Sequence, residues 1–176
     1  MNLLRYVAGD EIRPGIIDAS GSIRDLGGVV PDIDSEAISP EGLTLLAAID
    51  PESLPRVKGE PALAAPVADP SKVVCIGLNY SDHAAEVGME PPSEPIIFLK
   101  SSTAYTGPSG PVIKPPHSTK LDWEVELVIF IGTEASFVSE ENALQHVAGY
   151  AVGNDVSERE FQTERPGGQW TKGKSG

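Results

Sequence analysis

Hydrophobic and polar positions divide the chain into two stretches of different character. In residues 1–60, LLRYV and IRPGIID read as short strands joined by AGDE, and ASGS makes a second turn before IRDLG. Ser39 followed by Pro40 is an N-cap with proline at the first helical position, and LTLLAAID supplies the apolar residues behind it. PALAAPVADP, residues 61–70, is rich in Pro and Ala and keeps neither the helical nor the strand period, so a linker is expected there.

The second stretch, 71–176, mixes strands and short helices. KVVCIGL is an apolar run ending at Gly77, and DHAAEVG has the length of a short helix stopped by Gly88. EPIIFLK and the Pro/Gly-broken TGPSGPVIKPP suggest strands interrupted by turns. Ser139 is placed to cap a helix over EENALQHVAGY, with Ala143, Leu144 and Val147 on one face and Gly149 as its stop. YAVGNDVS reads as the next strand. Strands and helices do not alternate as βαβ units, and no repeat or low-complexity segment occurs. The expectation is therefore an α+β, strand-rich fold with a small N-terminal α/β domain over 1–60, a linker over 61–70 and a second domain over 71–176.

Composition narrows the class. With 176 residues, 40% hydrophobic and 22% charged, the chain can bury a core and is far from a disordered profile. No apolar run approaches the roughly 20 residues that span a bilayer, so no membrane partner is expected. MNLLRYVAGDEIRPG lacks a basic stretch followed by a long apolar core, and no secretory signal is expected. The single cysteine, Cys75, cannot close an internal disulfide and reads as a small buried hydrophobe; both facts suit a cytosolic protein. Twenty-six acidic against 13 basic residues leave a net charge of -13, which repels phosphate backbones and argues against nucleic acid as a partner. A local basic site could still hold a small anion.

LDWEVELVIFIG, residues 121–132, is an apolar strand loaded with acid. In an extended chain Asp122, Glu124 and Glu126 share a face, and the roots of Glu124 and Glu126 stand about 7 Å apart. Either that face is wet, as on an edge strand, or something cationic neutralises it. Residues 127–131 are apolar without alternation, as in an interior strand, which disfavours the wet reading. Another apolar strand, YAVGNDVS, brings a further acid, Asp155. Carboxylates without cysteine or suitably spaced histidine suit an oxygen-only site for Mg²⁺, Mn²⁺ or Ca²⁺. His83 and Glu86, three apart in DHAAE, can share a helical face, where the carboxylate would orient the imidazole as a base; surface decoration is the plainer reading. His117 and His146 have no such partner. Lys172 and Lys174 beside glycines in QWTKGKSG could hold an anion or simply be solvated.

In this order and spacing, IGLNYSDHAAEVG, EPIIFLK, DWEVELVIFIG, VAGYAVGNDVSEREFQ and GGQWTKGKS resemble the fumarylacetoacetate hydrolase family over about residues 71–175. Within it the chain is similar to bacterial members called ureidoglycolate lyase, hydroxyheptadienedioate isomerase or 2,4-diketo-3-deoxy sugar-acid hydrolase. The resemblance implies a mixed β-roll, with Mg²⁺ or Mn²⁺ held by Glu124, Glu126 and Asp155. It also implies a His83/Glu86 pair able to close over the site, Arg159 and Gln162 as substrate-binding residues, and Lys174 as an active-site lysine. The implied activity is metal-dependent hydrolysis of a C–C bond in 2,4-dioxo acids; a lyase, decarboxylase or isomerase acting on a keto-acid enolate is the alternative, and a non-catalytic metal- or ligand-binding fragment a further one. A small-molecule keto-acid partner and a homodimer are implied as well. Members usually continue well past the GKS segment, so the roll is expected to be truncated.

Overall fold

The structure, a computed structural model, describes residues 1–86, 88 and 90–175. In chain order its elements are β1 (Asn2–Ala8), β2 (Glu11–Ile17), β3 (Ile23–Asp25), α1 (Pro40–Ala47), β4 (Val73–Gly77), α2 (Ser81–Glu86) and β5 (Ile96–Lys100). They continue with β6 (Leu121–Asp122), β7 (Val125–Ile131), α3 (Glu140–Ala143), β8 (Val147–Asn154), β9 (Ser157–Glu158) and α4 (Trp170–Lys174). The fold is α+β and strand-rich, as the patterning implies. No helix among the described residues is long and apolar enough to cross a membrane.

Two compact units divide the chain, the first taking Met1–Pro70, Thr106–Pro111 and Glu126–Gly153. Here β1 and β2 form an antiparallel hairpin from Asn2↔Ile17 to Ala8↔Glu11, and β3 adds to β2 through Gly15↔Asp25 and Ile17↔Ile23. Gly9 has φ 65°, the left-handed conformation that a two-residue hairpin loop asks of its first residue. The core gathers Ile16, Leu26, Ile33 and Leu46 with Val30, Ala37, Ile38 and Val67, and Phe130 and Ala148 pack against it. Helix α1 starts as its cap demands, with the Gly42 amide donating to Ser39 Oγ at 3.1 Å. Residues 61–70, expected as a linker, run alongside β1 instead. The Val7 amide donates to Ala62 O and the Ala64 amide to Arg5 O, both at 2.9 Å, and Val67 is buried.

The second unit takes Ser71–Tyr105, Val112–Val125 and Asn154–Gly176. β4 and β5 pair antiparallel with Cys75 opposite Phe98 and Gly77 opposite Ile96, and β6 pairs with β9 through Asp122↔Ser157. A π-helical turn over Glu160–Glu164 follows β9 and precedes α4.

Three further expectations change. The helix over EENALQHVAGY shrinks to the four residues of α3 and a 3₁₀ turn, and Gly149 lies inside β8 rather than ending a helix. The period-two run beginning at Val147 outweighs the helical spacing of its first residues. Next, β7 has one strand neighbour among the described residues, β8, and exposes Val125, Leu127, Ile129 and Ile131, so it is not interior there. An apolar run reports that a face avoids water, without specifying how many strands flank it. Finally, Cys75 is partly rather than fully buried. Of the DHAAEVG helix, α2 covers Ser81–Glu86, and Val87 lies outside the described residues.

Leu46 has no exposed surface, so Leu46→Ala should cost roughly 2–5 kcal/mol in denaturant unfolding, as a large-to-small core change does. Asp18 offers a pH test. The Ser20 hydroxyl at 2.7 Å, Arg24 Nε at 2.7 Å and the Ser22 amide at 2.9 Å hold its carboxyl far below the usual range. A depressed folded-state pKa stabilises above the unfolded value of about 3.9, and that contribution fades as pH falls below it. Asp18→Asn should therefore lower Tm at neutral pH, with the gap closing in acid, measured by thermal melts across pH.

Candidate functional site

The loaded strand turns out to straddle two pairings. Leu121 and Asp122 pair with β9, whereas Val125 onward pairs with β8. At the changeover the Asp155 amide donates to Glu124 O at 2.9 Å, and the Glu124 amide donates to Asn154 Oδ1 at 3.1 Å. These bonds set Glu124 beside Asp155 although 31 positions in sequence separate them. Glu126 follows two residues along the same extended segment, and each of the three carboxylates offers an oxygen within 4.8 Å of the others. Oxygens around one hard cation at about 2.0–2.6 Å would themselves lie within about 4–5 Å of each other, so the donor set fits Mg²⁺, Mn²⁺ or Ca²⁺.

Cations from several elements ring this cluster. The Lys174 side chain is only 3% exposed, and its Nζ lies 2.6 Å from Glu124 Oε2 and 3.0 Å from Asp155 Oδ2. Lys100 Nζ, at the end of β5, pairs with Asp155 Oδ1 and donates to Val156 O at 3.2 Å. Arg159 Nη1 stands 2.5 Å from Glu124 Oε1, while its Nη2 and Nε donate to Asp122 Oδ2 at 2.8 and 2.9 Å. Gln162 is buried and accepts from Arg159 Nη1 at 3.2 Å. Burial pushes the Glu124 carboxyl up, but Lys174 and Arg159 outweigh it and hold the group below its ordinary value. Burial works to lower the Arg159 value, and Asp122 and Glu124 together leave it raised.

Of the residues expected from sequence, Glu124, Glu126, Asp155, Arg159, Gln162 and Lys174 come together, and Lys174 is buried where a solvated lysine was the plainer reading. Lys172 is exposed. His83 Nδ1 lies 3.5 Å from Glu86 Oε2 on α2, so this pair meets as its spacing implies, and among the described residues no hydrogen bond or ion pair joins it to Glu124 or Asp155. His117 is exposed, and His146 Nδ1 lies 3.3 Å from Thr133 O. Sequence reasoning missed two participants, Lys100 and the ion pair of Asp122. The signal for Lys100 was present, because Ile96, Phe98 and Lys100 alternate onto the less exposed face of β5 and a charge there needs a partner.

Residues 72–176 match the family described as fumarylacetoacetate (FAA) hydrolase, C-terminal. The chain belongs to the fumarylacetoacetate hydrolase family. A Burkholderia ambifaria relative whose provisional name is hydrolase, without a substrate, is 54% identical over 174 residues, which make up 99% of this chain and 61% of the relative. This chain therefore spans about three-fifths of that relative's length. Among solved structures it is similar to a fumarylacetoacetate hydrolase from the psychrophile Exiguobacterium antarcticum, with TM-score 0.81, 31% identity and coverage of 98% of this chain and 61% of that one. It is also similar to the 2-hydroxyhepta-2,4-diene-1,7-dioate isomerase of Mycobacterium marinum, with TM-score 0.65, 30% identity and coverage of 100% and 61%. Over nearly its whole length this chain thus shares the fold of solved family members, matching about three-fifths of theirs.

Next to the cluster, Glu158 is 2% exposed and accepts from the Ser118 hydroxyl and from the amides of Lys120 at 3.2 Å and Glu160 at 3.2 Å. This carboxylate ties the segment entering β6 to β9, the strand pair that carries Asp122 and precedes Arg159. Ser118→Ala removes a donor from a buried acceptor, so it should destabilise by about 1–3 kcal/mol in chemical unfolding.

Proposed function

We propose that the chain forms the metal- and anion-binding part of a divalent-metal-dependent hydrolase that cleaves a C–C bond in 2,4-dioxo acids of the acylpyruvate or 2,4-diketo-3-deoxy sugar-acid type. The observation that carries this reading is an oxygen-only trio of carboxylates ringed by Lys100, Lys174 and Arg159. Family membership and the hydrolase name of the Burkholderia relative support it.

In this reading Glu124, Glu126 and Asp155 hold Mg²⁺ or Mn²⁺, with Ca²⁺ also suited to the oxygens. A bound ion would polarise the oxygens of a chelating dioxo acid and offset negative charge as it develops there. Lys174 and Arg159 bind the substrate carboxylate and a developing oxyanion, and Gln162 orients substrate or water. His83, oriented by Glu86, takes a proton from water. Water then adds to the distal carbonyl carbon, the C–C bond to the methylene breaks, and its electron pair passes to the keto-acid fragment, which is protonated. The products are a carboxylic acid and an α-keto acid. In this reading the substrate joins the His83/Glu86 pair to the carboxylate cluster.

The similarity to a solved isomerase favours a second reading, in which the same enolate chemistry proceeds without water attack as isomerisation, decarboxylation or lyase cleavage. The reading also takes the working protein as a cytosolic homodimer, as the family resemblance suggests.

The test incubates the protein with Mg²⁺ or Mn²⁺ and acylpyruvates, 2,4-diketo-3-deoxy sugar acids, oxaloacetate and ureidoglycolate, with product analysis. Metal-dependent formation of two acids is expected, with kcat/KM about a hundredfold or more lower in Glu124→Ala and Mn²⁺ binding lost in the same variant. Turnover of oxaloacetate or ureidoglycolate alone would select the second reading. Metal binding without turnover of any substrate would make the chain a binding module.

A further inference from the structure

Helix α4 has five residues, too few to persist on its own hydrogen bonds, so packing must decide where Lys174 stands. Two glycines supply that packing. A β-carbon on Gly77 would fall 2.5 Å from Cζ3 and 3.2 Å from Cη2 of Trp170, so the indole fills space that only glycine leaves open. The ring also meets Phe98 edge-on, with centroids 5.4 Å apart and planes at 67°, which limits its retreat. At the other end of the helix, a β-carbon on Gly173 would meet Cβ, N and Cα of Gln162 at 2.7–2.8 Å, so α4 lies hard against the π-helical turn. The Ser101 amide then donates to Ser175 Oγ at 2.9 Å.

Trp170 and Lys174 are four residues apart and project from one side of the helix. Their targets are close to each other, since Lys174 Nζ lies 5.3 Å from the same Phe98 ring that Trp170 abuts. Lys174 reaches two carboxylates at 2.6 and 3.0 Å, distances that a displacement of about an ångström would break.

We propose that Gly77 and Trp170 are a notch and plug that seat α4 and thereby aim the Lys174 ammonium at Glu124 and Asp155, making both positioning residues of the cluster. The consequence for turnover rests on the functional reading above, whereas the seating can be read without it. Gly77 does this from the opposite end of the unit's sequence, at the close of β4. Leu78, the next residue, has φ 51°, a left-handed conformation that a bulky side chain rarely adopts.

Amine acylation of the folded protein, read residue by residue by mass spectrometry with circular dichroism as a check on fold, tests the seating. In the parent, buried Lys174 should label at least about tenfold more slowly than exposed Lys172. Gly77→Ala should raise the Lys174 rate about tenfold while Lys100 stays as protected as in the parent. Gly77→Ala/Trp170→Phe, which removes the ring carbons that would collide, should restore protection; general loosening of the unit would not be rescued in this way. Should Gly77→Ala fail to fold, Trp170→Leu is expected to expose Lys174 by loss of the plug. The proposal is overturned if Lys174 in the parent labels as fast as Lys172, if it stays protected in a folded single variant, or if the double variant labels like Gly77→Ala. A Mn²⁺ titration of the parent separates the two ideas, because absent metal binding would sink the functional reading and leave the labelling result standing.

Discussion

Glu124, half-buried, and Asp155, buried, lie side by side and must be neutralised, and much of the second unit is arranged around that requirement. Removing an ionised carboxylate from water costs several kcal/mol, and a single partner at about 4 Å returns about 4 kcal/mol at the effective dielectric near a protein surface. One cation is therefore a poor bargain for two acids. Lys174 spans Glu124 and Asp155, Lys100 takes the other oxygen of Asp155, and Arg159 spans Glu124 and Asp122. The depressed Glu124 carboxyl is the electrostatic sign that these partners outweigh burial.

That arrangement draws on the whole order of the unit's chain. Lys100 ends β5, Asp122 and Glu124 bracket the break between two strand pairings, Asp155 and Arg159 flank β9, and Lys174 ends α4. The elements are short, and each delivers one or two of these side chains. Their precision comes from specific ties: the Asp155 amide on Glu124, the buried Glu158 accepting from the segment before β6, and glycines that let α4 approach β4 and the turn at Gln162. A cluster held in this way presents charge of both signs toward one point, a sensible property for binding an ion and an anionic small molecule together.

The first unit follows more local rules. Its hairpin, its capped helix and its apolar core obey nearest-neighbour signals, among them the Gly9 turn and the Ser39–Pro40 start of α1. The error there concerned 61–70, where Pro and Ala hid pairing with β1, because backbone hydrogen bonds leave little trace in side-chain pattern. The same blindness explains Gly149, which looked like a helix stop and lies in a strand, since a glycine signal is read differently once Val147 and its successors pair with β7.

By itself the sequence determined the acidic strand, the second acid-bearing strand, the helical His83/Glu86 spacing and, through five ordered segments, the family. These are properties of local spacing, and spacing survives in one dimension. Only the tertiary structure decided that Lys174 rather than Lys172 is buried, that Lys100 belongs to the cluster and that Asp122 anchors Arg159. Each of those facts depends on distances between residues tens of positions apart, and such distances are set by strand pairing and close packing, which the order of side chains constrains without stating.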